Sequence, residues 1–178
     1  MDGVVREFVA VEVGRAKEQT GTAPAHLTLR FLGEVAPGQN PVVATALAEV
    51  AHTVPGFVIR LEGVGAFPDP ARPRVVWVGV TAGRTELVEL ARRVRVALDP
   101  IFGPDREEFV PHLTMFRVRS PTDRAAAREL LSGVRASPSA REVRVDELVL
   151  KESVLGPHGA VHRTVAAFPL QRSLRPSG

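Results

Sequence analysis

Cysteine does not occur anywhere in the 178 residues, which excludes disulfides, thiolate metal ligands and a cysteine nucleophile at once. Lysine is nearly missing as well. Lys17 and Lys151 are the only lysines among 23 basic residues, so the basic complement is almost wholly guanidinium, the side chain best shaped for bidentate contacts to phosphate. A codon bias toward arginine would produce the same composition. No large excess of one charge exists either: the formal net charge is +3, and the pI of 10.4 reflects arginine rather than a polyelectrolyte. No apolar run approaches bilayer-crossing length, and the first residues lack the basic segment and long apolar stretch of a secretory signal. No membrane partner is therefore expected, and the expected compartment is the cytoplasm.

What is present fits an ordinary globular chain. Apolar residues make up 44% and charged residues 24%, proportions that suit a packed core and exclude a disordered or fibrous chain. The length suits one compact domain over residues 1–178, with 173–178 a dispensable tail, and a monomer is expected. Period-two apolar alternation predicts a strand over 4–13, and further strand-forming runs are read over 25–34, 57–67, 74–81, 109–118, 143–154 and 160–170. Helical spacing predicts helices over 42–54, 85–98 and 122–131, the first opened by Asn40 and Pro41. Pro68, Asp69, Pro70 and Pro73 favour a long loop between the third and fourth strands. Because strands come in groups between helices, the predicted class is α+β with mainly antiparallel sheets.

One short pattern occurs twice: Pro24-Ala25-His26-Leu27-Thr28-Leu29 and Pro111-His112-Leu113-Thr114-Met115. In a strand, residues two apart share a face, so each histidine and threonine point one way while the leucines anchor a core behind them. Two such mounts facing each other would form a cleft with two imidazoles. That pair suits phosphodiester hydrolysis, where one proton leaves water and another reaches the departing ribose oxygen near neutral pH. Threonine hydroxyls and an arginine can hold the non-bridging oxygens. A lone H-x-T is a weak signal, and His162-Arg163-Thr164 fits it too. Its middle residue is arginine and no proline precedes it, so His162 is read as a half-exposed strand histidine outside the site. His52 and His158 are given surface positions at a helix end and in a turn.

The two blocks extend into longer signatures. Residues 24–35, from Pro24 through Arg30-Phe31-Leu32-Gly33-Glu34-Val35, and Phe109-Val110-Pro111-His112-Leu113-Thr114-Met115-Phe116-Arg117 resemble the paired signatures of the two-histidine (2H) phosphoesterase superfamily. Within it the chain is similar to the RNA 2′,3′-cyclic phosphodiesterases, the bacterial 2′-5′ RNA ligases. Arg74-Val75-Val76-Trp77-Val78-Gly79-Val80 and the stretch from Glu152 to Ala160 agree with that likeness. The resemblance implies two lobes related by a pseudo-twofold axis, with helices on the outer faces and a central cleft. It implies that His26 protonates the 3′ oxygen, that His112 activates water, and that Thr28, Thr114 and Arg117 bind the phosphate. The implied substrates are RNA ends or nucleotides bearing a 2′,3′-cyclic phosphate, opened to a 2′-phosphate without metal or other cofactor. ATP-independent, reversible 2′-5′ ligation is the same chemistry with a 5′-OH in place of water.

Two features depart from the relatives. They place a long helix and a short strand before the first H-x-T, whereas only residues 14–25 fill that interval here, so this helix is expected to be absent or reduced to a turn. Relatives commonly carry tyrosine where this chain has His162. Phe8 is a candidate for stacking a nucleobase, with burial in the core as the alternative. Arg117 stands three residues beyond Thr114 and would face away from it in an unbroken strand. It reaches the phosphate only if the strand ends, twists or bulges after Met115. Competing functions are a noncatalytic RNA or nucleotide-binding module, a 2H enzyme for a small cyclic nucleotide, and a metallohydrolase using both histidines. The last lacks a third ligand at suitable spacing.

Overall fold

The computed structural model describes residues 5–14, 25–156 and 159–172. The expectations for the shortened segment after Gly14, for His158 and for the tail lie outside these residues. The elements run β1 (Val5–Glu12), β2 (His26–Val35), α1 (Asn40–Thr53), β3 (Phe57–Phe67), β4 (Val75–Ala82), α2 (Arg84–Phe102), β5 (His112–Arg117), α3 (Pro121–Leu131), β6 (Arg141–Val145), β7 (Glu147–Gly156) and β8 (Gly159–Pro169). The α+β class holds. Two four-stranded sheets, ordered β2-β1-β7-β8 and β5-β4-β3-β6, are antiparallel throughout.

One predicted strand is in fact two. The apolar run over 143–154 is interrupted at Asp146, so that β6 pairs with β3 in one sheet and β7 pairs with β1 and β8 in the other. Asp146 leaves the ladder to take other partners. Its carboxylate accepts from Arg144 Nε at 2.7 Å, and its carbonyl accepts from the Leu170 amide at 2.7 Å. The core-facing positions change phase here, from Val143 and Val145 to Leu148 and Leu150, but Val149 between the leucines keeps the run apolar, so it reads as one strand.

Local chemistry explains the helices. The Ser120 hydroxyl accepts from the Asp123 amide at 3.1 Å while the Asp123 carboxylate accepts from the Ser120 and Arg119 amides, each at 2.9 Å. This capping box starts α3 and holds the Asp123 carboxyl below its ordinary pKa, the Arg119 amide being the main cause. Ahead of α2, Gly83 adopts φ 68°, and a Cβ there would lie 2.2 Å from the Val58 carbonyl oxygen. Only glycine fits that turn.

A single apolar cluster fills the space behind both sheets. Val9, Val11, Leu27, Leu148 and Leu150 face it from one sheet, Ile59, Leu61, Val78 and Leu113 from the other, with Val43, Leu47, Leu90 and Val94 supplied by α1 and α2. The helices thus cover one side of the paired sheets. A smaller cluster of Val76, Ala127 and Leu130 seats α3 against β4. The opposite face, which no helix of the described residues covers, carries the polar residues of the two H-x-T strands.

Leu27 is fully buried and Leu113 is buried, each directly behind its H-x-T histidine. Leu27→Ala and Leu113→Ala should each cost about 3 kcal/mol by urea unfolding, the usual penalty for a buried leucine. Losses below about 1 kcal/mol in both would show that other residues anchor these strands.

Candidate functional site

The site is assembled by strand register. In the β1–β2 pair, Ala10 lies opposite Thr28 and Glu12 opposite His26, so both H-x-T side chains fall on the face of Phe8, Ala10 and Glu12. In the β4–β5 pair, Gly79 lies opposite His112 and Trp77 opposite Thr114, again on one face. β2 and β5 are edge strands of their sheets and lie beside each other. The two mounts are therefore neighbours at the centre of an eight-stranded concave surface.

Immediately after each threonine the strand carries one residue too many. Leu29 is skipped between Thr28, opposite Ala10, and Arg30, opposite Val9. Met115 is skipped between Thr114, opposite Trp77, and Phe116, opposite Val76. These β-bulges reverse the parity of the residues beyond them. Arg30 and Phe116 turn to the helical side; Phe31 and Arg117 turn to the cleft. The parity difficulty at Arg117 is thus resolved by a bulge at Met115, and Arg117 lies opposite Val75 on the face of His112 and Thr114. Its charge is felt at both His112 and His162.

Arg30, turned back, ties β2 to α2. Its guanidinium is 3% exposed and donates to the Arg95 carbonyl at 2.8 Å, the Asp99 carboxylate at 2.8 Å and the Gly103 carbonyl at 2.7 Å. A cation at the carbonyl end of a helix is favoured by both hydrogen bonding and the helix dipole.

His112 is half-buried, with its ring 4.9 Å from Phe67 edge-on and 6.2 Å from Trp77. Trp77 lies flat over Gly65, where a Cβ would come within 2.3 Å of the indole. His112 Nδ1 lies 2.7 Å from the Val110 carbonyl oxygen. A carbonyl can only accept, so Nδ1 carries the proton and Nε2 of the neutral ring is a bare acceptor. Burial, foremost, and Arg117 push the imidazole pKa below its ordinary value, against the opposing effect of the Val110 bond. A neutral ring with a free Nε2 can take a proton.

Around His26 the structure makes two corrections. Phe8 is 2% exposed, its ring packed 5.1 Å from His26 and 5.9 Å from Phe31. It has no open face for a nucleobase and serves as the floor under His26. The exposed aromatic on this face is Phe31, 65% accessible and carried there by the Leu29 bulge. Its place in the first signature, matching Arg117 in the second, is the signal that the sequence offers.

The second correction concerns His162, expected outside the site. It is half-buried, and its ring stands edge-on to His26 at 5.2 Å and to Phe8 at 5.1 Å. In a flat sheet β2 and β8 would be about 14 Å apart, three strand spacings, so this contact also measures how strongly the sheet curls. Below it, the fully buried Lys151 ammonium binds Glu12 at 2.6 Å and the Thr164 hydroxyl at 2.9 Å. Burial first, then Lys151 and Arg117, lower the His162 pKa. Among the described residues, no group of three or more histidines, aspartates or glutamates gathers in a metal-ligand arrangement. No helix of the described residues is long and apolar enough to cross a membrane.

Comparison with known proteins agrees with this geometry. Residues 9–156 match the family model described as the 2′-5′ RNA ligase superfamily. A protein of Aeropyrum pernix named RNA 2′,3′-cyclic phosphodiesterase is 37% identical over 145 residues, covering 79% of this chain and 78% of that one. One of the same name from Archaeoglobus fulgidus is 37% identical over 183 residues, covering 92% and 99%. Among solved structures, a Thermus thermophilus protein superposes with a TM-score of 0.71 at 24% identity over 94% of this chain and 98% of its own. E. coli LigT complexed with 3′-AMP gives 0.69 at 22% identity over 96% and 100%. These two likenesses speak to the fold alone.

Because the Arg117 charge disfavours the imidazolium of His112, Arg117→Ala should raise the His112 pKa toward the ordinary value, read by NMR titration of the ring. A pKa that stays put or falls would show that the guanidinium does not face His112.

Proposed function

The chain belongs to the 2′-5′ RNA ligase superfamily, and from that membership we propose that it hydrolyses 2′,3′-cyclic phosphate ends of RNA to 2′-phosphates with His26 and His112 as acid and base. The observation that carries this reading is the parity of the two bulged strands. One face collects two imidazoles, two threonine hydroxyls and the Arg117 guanidinium, the set that an in-line displacement at phosphorus needs.

The roles follow from the tautomer. His112 offers a bare Nε2 and is held neutral by its surroundings, so it takes the proton of the attacking water. The water oxygen bonds to phosphorus as the P–O3′ bond breaks, and His26, entering protonated, delivers its proton to O3′. The product carries a free 3′-OH and a 2′-phosphate. His26 is left neutral and His112 charged, and exchange with solvent resets the pair. Thr28, Thr114 and Arg117 hold the non-bridging oxygens, the guanidinium matching the developing charge with a bidentate fork. Phe31, packed against Phe8 on the face of His26 and open to solvent, is the ring on which the terminal base stacks. A 5′-OH admitted in place of water would give a 2′-5′ linkage by the same proton transfers.

Incubation with an oligonucleotide ending in a 2′,3′-cyclic phosphate should give the 2′-phosphate isomer alone; a 3′-phosphate product, or no turnover, would overturn the assignment. His26→Ala and His112→Ala should each lower kcat by about a hundredfold or more, the usual contribution of a general acid or base. An ester whose 3′ leaving group needs no proton separates the roles. It should restore His26→Ala far more than His112→Ala, and the reverse would exchange acid and base.

A further inference from the structure

His162 is the third imidazole of the cleft, and its surroundings fix which of its nitrogens carries the proton. Nδ1 is buried with no hydrogen-bond partner among the described residues, whereas Nε2 is not enclosed in this way. A proton on Nδ1 would leave a buried donor unsatisfied; a bare Nδ1 forgoes only an acceptor. The imidazolium would require that same buried N–H and would face the ammonium of Lys151, 1% exposed, and the Arg117 guanidinium as well. The ring is thus held neutral with its hydrogen on Nε2. Its orientation is fixed by edge-on packing against His26 and Phe8 and, two residues along the strand, by Thr164 bound to Lys151 and Glu12. A ring so placed, neutral and with a single N–H, is not equipped to shuttle a proton. It is equipped to donate one hydrogen bond in a fixed direction beside His26.

We propose that His162 is a substrate-binding residue whose Nε2–H donates to an oxygen of the ribose cyclic phosphate held between His26 and His112. This rests on the activity proposed above. The contact would be made in the ground state and kept through the reaction, so it belongs to KM more than to kcat. The lysine beneath serves the same end. With Glu12 and Thr164 it supports the strand that carries His162, and its charge keeps the imidazole from becoming a second acid next to His26.

The test compares three proteins on a dinucleotide ending in a 2′,3′-cyclic phosphate, each checked for an unchanged melting temperature. His162→Phe keeps the ring contacts with His26 and Phe8 but has no donor, and should raise KM about tenfold, the worth of one hydrogen bond to a charged or strongly polar oxygen, with kcat within about threefold. His162→Gln places an amide N–H near the position of Nε2 and should return KM to within about threefold of wild type. Wild-type KM in His162→Phe would overturn the proposal, because the donor would then be unused. A His162→Gln protein as impaired as His162→Phe would overturn it too, since the ring rather than the N–H would then matter. So would a fall in kcat at unchanged KM, which would assign His162 to the orientation of His26. If wild-type protein does not open the cyclic ester, the proposed activity itself has failed, an outcome distinct from any of these.

Discussion

The extra residue that β2 and β5 each carry after the threonine decides which side chains belong to the cleft and which to the packing behind it. Without Leu29 out of register, Arg30 would stand beside Thr28 in the cleft and Phe31 would be driven into the helices. Without Met115 out of register, Phe116 would be exposed beside Thr114 and Arg117 would point at α3. Each bulge therefore does two things together: it delivers a ligand-facing residue and supplies a tie to the scaffold. In one lobe the tie is the Arg30 guanidinium on the Arg95 and Gly103 carbonyls of α2 and its C-cap; in the other it is Phe116 against the α3 cluster. The pseudo-twofold relation between the lobes extends to these irregularities and stops at the identity of the third residue, aromatic in one lobe and cationic in the other.

Electrostatics in the cleft work by excluding charge as much as by supplying it. His112 and His162 are both shifted toward the neutral ring, chiefly by burial, and Arg117 adds to the shift in each. The cation proposed to bind phosphate oxygens thereby also disfavours protonation of the nearby imidazoles. The arrival of an anionic phosphate would offset that effect. The site thus couples the charge of what it binds to the protonation of the groups around it. Lys151 and Glu12 sit under this arrangement as a neutralised pair, with the Thr164 hydroxyl closing the triangle.

How much of this is legible in the sequence depends on whether a feature is written along one strand or between several. The α+β class, the three helices and the alternation of His26, Leu27 and Thr28 are properties of contiguous residues, and periodicity reveals them. The need for a break near Met115 can be deduced, because an arginine three residues from Thr114 poses a parity problem. Its twin at Leu29 poses no visible problem, since no cleft role is expected of Phe31. The crossing at Asp146 is hidden because Leu148, Val149 and Leu150 are all apolar, which masks the change of phase from Val143 and Val145 to Leu148 and Leu150. The location of His162 depends on strand order and curl, which bring β8 over β1 toward β2, and nothing local to residues 160–170 encodes that. Phe8 is ambiguous for the same reason: on the cleft face of a strand, a phenylalanine is open or covered according to what neighbouring strands place above it, here His26, Phe31 and His162.

The one-residue link between β6 and β7 bears on the entropy of binding. Arg141–Val145 belongs to the sheet of His112 and Glu147–Gly156 to the sheet of His26, and only Asp146 separates them. A single residue has almost no slack, and Asp146 is further held by Arg144 and by the Leu170 amide. The two sheets are consequently tied at this link by covalent reach, and elsewhere by the apolar cluster common to both. The configurational freedom that two hinged halves would surrender each time they closed on a ligand is lost here once, when the chain folds.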